Sequence, residues 1–301
     1  MNPRRGQEPA LAELIAGLRQ GGPNFAEDPA KARADFEETL AMVPVSEDFT
    51  FTPGELGGVK VLEATYPGAD PEAVLMYLHG GAFIAGSANG YRGLAAELAR
   101  AGGVSLVSVD YRLAPEEPFP AALDDCVNVW RALLARGVAA DKIIIAGDSA
   151  GGGLALSTLL ALRDAGEPLP AAAILLSPWA NLTGDSSTYR TKANEDPSLT
   201  EQGLLTAALH YMAGNPVNIP YASPVLATLN GLPPLLVQVG SSEILLEDSI
   251  RIAANAGNNG TAVRLDIWPS MPHVFPAFSF MLEAGKLALA DAGTFIRQSL
   301  P

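Results

Sequence analysis

The stretch Ile143-Ile144-Ile145-Ala146-Gly147-Asp148-Ser149-Ala150-Gly151-Gly152-Gly153 constrains the fold more than any other part of the chain. Three β-branched residues and an alanine have the composition of a short strand buried on both faces. Gly-x-Ser-x-Gly comes next, and then Leu154 to Leu162, a run of good helix formers. A strand that turns into a helix through this pentapeptide is the setting of a nucleophile elbow. The turn demands a strained backbone at Ser149, and Gly147 and Gly151 lack the Cβ atoms that would clash. The Ser149 hydroxyl would then stand above the sheet, with the positive end of the following helix behind it. A glycine turn without chemistry has the same local sequence, so the rest of the chain must decide.

Length and charge narrow the choices. The 301 residues suit one α/β domain with a small appendage. A net charge of -14 argues against nucleic acid or an anionic membrane surface as partner. No uncharged apolar run is long enough to span a bilayer. Arg4-Arg5 has no apolar signal core behind it, so a cytoplasmic location is expected. The single cysteine, Cys126, excludes an internal disulfide and a cysteine-built metal site, and reads as a buried helix residue. No metal or cofactor is expected.

The chain divides into an N-terminal appendage, residues 1–45, and a catalytic domain, residues 46–301. Leu11, Leu14, Ile15 and Leu18 share one helical face that ends at Gly21-Gly22-Pro23. Asp28-Pro29 caps a second helix that carries Phe36 and Leu40. These helices are either packing decoration or part of a lid. Phe49 to Thr52 and Val59 to Tyr66 read as paired strands around the loop Pro53 to Gly58. Ala73 to Leu78 is apolar throughout, as a central strand is.

Thereafter strands are expected at Val104–Val109, Lys142–Ala146, Ala172–Leu176, Leu235–Val239 and Val263–Trp268. Helices are expected at Ala121–Arg136, Ala150–Asp164 and Glu247–Ala256, with a last one from about Met281. This alternation implies a mostly parallel sheet flanked by helices. An insert at about 181–234, with a helix over Thr200–Ala213, interrupts it and is a second candidate lid.

Three further segments bear on the chemistry. His79-Gly80-Gly81-Ala82-Phe83 follows the central strand, and two successive glycines let backbone amides converge on one point, as an oxyanion requires. His79 precedes the elbow, so it is read as orienting this loop and not as the base. His210 falls on the insert helix without a partner. His273 lies in Trp268-Pro269-Ser270-Met271-Pro272-His273-Val274-Phe275, a loop after the last strand, where α/β sheets carry their sites. It is the candidate general base. Glu243 is nearest the end of the preceding strand and is the candidate acid, with Asp248 in reserve; Glu247 and Asp248 suit a helix start.

Together these motifs, with Asp110-Tyr111-Arg112-Leu113-Ala114-Pro115-Glu116, resemble the hormone-sensitive lipase family, the bacterial family IV carboxylesterases of the α/β-hydrolase fold. The resemblance runs from about residue 45 to the C-terminus. It implies a serine carboxylesterase for short acyl esters, a Ser149-Glu243-His273 triad, and a helical cap made by the N-terminus and the insert. It also implies an oxyanion hole from the amides of Gly80, Gly81 and Ala150, and support of the elbow by Arg112, Glu116 and Asp148. Many members carry Asp-Pro-Leu where this chain has Glu243-Ile244-Leu245. A homodimer through an edge strand is expected on the same ground. Phe83, Trp179, Met271, Phe275 and Phe278 are read as acyl-pocket or core residues. Lactone, amide or peptide hydrolysis uses the same triad, and a non-catalytic binding role is the alternative of another class.

Overall fold

The computed structural model describes residues 9–301, so Arg4 and Arg5 lie outside the described residues. Two amphipathic helices come first, α1 (Pro9–Gln20) and α2 (Pro29–Leu40). Asp28 caps α2 by accepting from the Ala30 and Lys31 amides, and Pro29 fills its first turn. A hairpin follows, β1 (Thr50–Leu56) and β2 (Val59–Thr65). Here the expected loop is shorter than the sequence suggests. The strand runs through Pro53-Gly54, and only Gly57 and Gly58 turn, with φ of 60° and 80°. Paired positive φ angles make the tight turn that matches strand twist. Pro53 is tolerated because β1 lies at the sheet edge.

The remaining elements are β3 (Asp70–Leu78), α3 (Arg92–Gly102), β4 (Val104–Val109), α4 (Ala121–Ala135), β5 (Ile143–Asp148) and α5 (Ala150–Asp164). Then come β6 (Ala172–Leu176), α6 (Thr188–Thr191), α7 (Glu201–Met212), β7 (Leu235–Gly240), α8 (Leu246–Asn258), β8 (Val263–Trp268) and α9 (Glu283–Ser299). The sheet order is β1-β2-β4-β3-β5-β6-β7-β8, antiparallel across β1-β2-β4 and parallel from β4 to β8. This is an α/β-hydrolase sheet.

The parallel strands are apolar along their length because helices cover both faces. On one face α4, α5 and α8 bury Trp130, Leu156 and Ile252 against the sheet. On the other, α3 and α9 bury Leu98 and Ile296. Those two helices approach closely through glycine. A Cβ on Gly293 would lie 2.1 Å from the Ala101 carbonyl oxygen. Each fully buried large apolar side chain contributes about 1.5–3 kcal/mol. Cys126 is buried on α4. No helix among the described residues is long and apolar enough to cross a membrane.

The N-terminal helices and the insert meet above the carboxyl ends of the strands. Arg19 donates to the Asn194 carbonyl at 3.1 Å, and Phe25 packs beside Gly203 of α7. Arg33 of α2 reaches the loops below, donating to the carbonyls of Ile84 at 2.7 Å and Ala114 at 2.8 Å.

Candidate active site

Ser149 sits between β5 and α5 with φ 52° and ψ -122°, a region that costs a non-glycine residue about 1–3 kcal/mol. The surroundings enforce it. Its amide donates to the Leu176 carbonyl at 2.9 Å, and its carbonyl accepts from Gly153 at 3.1 Å and Trp179 at 2.8 Å. A Cβ at Gly147 would lie 2.3 Å from the Gly151 oxygen, and one at Gly151 would lie 2.0 Å from the Leu78 oxygen. Only glycine fits at either place.

Glu243 and His273 come together across two loops. His273 Nδ1 lies 2.8 Å from Glu243 Oε2, so the imidazole donates and the carboxylate accepts. The other carboxylate oxygen accepts from the Gly240 amide at 2.5 Å and the Ser177 hydroxyl at 2.7 Å. The Val274 amide in turn donates to Ser177 Oγ at 3.1 Å, which ties the histidine loop to the same hydroxyl. Glu243 is fully buried. Burial pushes the His273 pKa down, but the Glu243 hydrogen bond and the charges of Glu243, Asp196 and Asp148 outweigh it, and the net shift is upward.

Ser149, His273, Asp148 and Gly81 all line one cavity of about 300 Å³. Its walls come largely from the N-terminal segment: Leu18, Phe25, Phe36, Leu40 and Val43. Of the five aromatic or apolar residues read from the sequence as pocket or core, only Phe278 lines this cavity. Phe83 stacks on Tyr211 at 3.9 Å and packs on Trp179, while Met271 and Phe275 are buried with Leu11 and Trp268. These four belong to the core, because the N-terminal helices bring their own apolar stripe to the site.

Asp148 anchors the glycine loop. It accepts from the Tyr77 hydroxyl at 2.7 Å, the Tyr91 hydroxyl at 2.8 Å and the Gly80 amide at 3.0 Å. Burial raises its pKa to about 6, against the lowering effect of both tyrosines. The Gly80 bond corrects the sequence reading: this amide is committed to Asp148 and is not available to an oxyanion. Glycine is nonetheless required, because a Cβ there would lie 2.3 Å from Asp148 Oδ2. Among the described residues the Gly81 and Ala82 amides have no protein acceptor. Ala150 opens α5, where the first N–H groups have no intrahelical partner.

His79 is fully buried, stacked on Tyr111 at 4.1 Å, with Nδ1 donating to the Gly80 carbonyl at 2.7 Å. Burial lowers its pKa to about 4, so it is neutral. His210 is half-buried on α7. Asp248 faces away from His273, accepting from the Ala180 amide and the Ser186 hydroxyl, and burial raises its pKa to about 7. Arg112 pairs with Asp125 at 2.8 Å and Glu116 with Arg33 at 2.5 Å. Sequence reasoning missed Ser177 and Asp196, which lie in loops without a motif. Among the described residues no group of three His, Cys, Asp or Glu side chains could hold a metal ion.

A strained serine at a strand–helix turn and a Glu-His pair at the carboxyl ends of a mostly parallel sheet are features of the α/β-hydrolase fold. The family model described as alpha/beta hydrolase fold matches residues 75–277. An acetyl-hydrolase of Streptomyces hygroscopicus is 42% identical over 231 residues, 77% of either chain. An esterase of Acinetobacter venetianus is 36% identical over 268 residues, 89% of this chain and 88% of that one. The crystal structure of an esterase from the bacterial hormone-sensitive lipase family superposes with a TM-score of 0.94 at 38% identity, covering 98% of this chain and 99% of that one. The chain belongs to the bacterial hormone-sensitive lipase family of the α/β-hydrolase fold.

Proposed function

We propose that this protein is a serine carboxylesterase for short acyl esters, acting through Ser149, His273 and Glu243. The observation that carries the reading is the 2.8 Å Glu243–His273 bond opening onto the same cavity as Ser149. With Nδ1 held by Glu243, the Nε2 lone pair of His273 takes the Ser149 proton as Oγ attacks the ester carbonyl. The imidazolium then protonates the leaving alcohol. Water, deprotonated by the same nitrogen, attacks the acyl-serine and releases the acid. The amides of Gly81, Ala82 and Ala150 stabilise the two oxyanions; loss of one such donor costs about 3 kcal/mol of barrier.

The cavity of about 300 Å³ supports short substrates, since small-molecule sites span roughly 300–1,000 Å³. The names of the relatives, an acetyl-hydrolase and an esterase, agree with that size. In this reading α1, α2 and residues 181–234 form a cap whose apolar side covers the site. A p-nitrophenyl ester series from acetate to dodecanoate, run beside Ser149→Ala, tests the proposal. Fast turnover confined to short chains and abolished in the folded variant is expected. Wild-type rate in Ser149→Ala overturns the triad, and preference for the long chains overturns the substrate class.

A further inference from the structure

The insert segment Asn194-Glu195-Asp196-Pro197-Ser198-Leu199 carries no motif, yet its one buried carboxylate touches two walls of the site. Asp196 is 8% exposed. Its Oδ1 accepts from the Ser198 amide at 2.9 Å and the Leu199 amide at 2.9 Å. Its Oδ2 accepts from the Ile244 amide at 2.9 Å. Ser198 and Leu199 line the substrate cavity, and Ile244 follows Glu243 directly. The negative charge of Asp196, like those of Glu243 and Asp148, favours the charged form of His273. Lys192, two residues before the segment, is engaged at 2.9 Å by Glu195.

We propose that Asp196 is a positioning residue for the reaction: it pins the Glu243 loop to the cavity wall and sets a negative charge towards His273. Seating of the insert on the site thereby tunes both the placement of the acid and the basicity of the histidine. The inference rests on the Ser149-His273-Glu243 reading. Loss of a nearby negative charge lowers a histidine pKa, because the imidazolium loses a favourable interaction. A carboxamide at position 196 keeps the shape but turns an N–H₂ towards an amide donor, which loosens one of the two anchors.

The test is steady-state hydrolysis of p-nitrophenyl acetate from pH 5 to 9 by folded Asp196→Asn, Asp196→Glu, Glu195→Gln and Glu243→Gln. For Asp196→Asn, kcat is expected to fall about ten-fold and the acidic limb of its pH profile to move down by about half a unit. Asp196→Glu keeps the charge, so its limb is expected to stay in place while kcat falls. Glu195→Gln removes an equal charge from the exposed neighbour and is expected to change neither. An unmoved limb in Asp196→Asn, or a limb that moves equally in the Asn and Glu variants, overturns the proposal. A wild-type rate in Glu243→Gln would instead overturn the triad beneath it.

Discussion

His273 is held between opposing forces, and the balance fixes how activity responds to pH. Burial disfavours its charged form, while Glu243, Asp196 and Asp148 favour it more strongly, so its pKa stands above the ordinary 6.5. In the proposed mechanism only the neutral imidazole accepts the serine proton. Activity is therefore full above the raised pKa and is lost as pH falls through it, with a midpoint above 6.5. A pH profile of kcat/KM for p-nitrophenyl acetate, which reports the free enzyme, checks this; a midpoint at or below 6.5 contradicts it. The sequence points to Ser149, Glu243 and His273 because a motif and the chain order single them out in turns just after strands that apolar runs mark. It does not show what Gly80 does. A glycine freed for an oxyanion and one emptied for a buried carboxylate look alike in one dimension, and Asp148 approaches Gly80 only once β3 and β5 pair. Ser177 is hidden for the same reason: its hydroxyl joins Glu243 to Val274 from a loop that no spacing rule marks.

Among the elements, periodicity revealed the parallel strands and most helices, since an apolar run bounded by glycines has few alternatives. It overlooked α3. That helix begins Arg92-Gly93 after Gly90-Tyr91, with no capping side-chain hydrogen bond, and is held by packing on α9. Tertiary burial stabilises such a helix where local propensity does not. The helix α2 is attached differently. Phe36 packs edge-on against Tyr91, and Arg33 spans two loop carbonyls and both oxygens of Glu116, holding that carboxyl down at about 2. Phe36, Thr39 and Leu40 of the same helix line the cavity. Arg33→Ala should thus loosen a binding wall without touching the reacting groups. A several-fold rise in KM for p-nitrophenyl butyrate with a smaller change in kcat is the expected result. Arg33→Lys should not restore it, because an ammonium cannot reproduce the planar fork. An unchanged KM in the alanine variant would show that α2 is held elsewhere.

At the scale of the molecule the open sheet leaves two edges, and they differ. The β1 edge carries Pro53, which has no N–H to offer, and Gly54, which weakens a strand. The β8 edge, Val-Arg-Leu-Asp-Ile-Trp, contains neither and pairs with β7 alone. Its Ile267 is 43% exposed, and the charge of Arg264 is spent on Asp266 and Asp291 within the chain. Edges without proline, bulge or free lysine are the ones that add another strand. A second copy related by a two-fold axis would continue the sheet antiparallel through β8 and cover Ile267 in both subunits. The site opens at the carboxyl ends of the strands, whereas pairing would use the backbone groups along the side of β8. The expected species at micromolar concentration is therefore a dimer, read by light scattering after gel filtration. Ile267→Lys, which places a charge on that edge, should yield a monomer that keeps its rate on short esters. A wild-type chain that scatters as a monomer at this concentration would show that the intramolecular ion pairs of Arg264 already protect the edge.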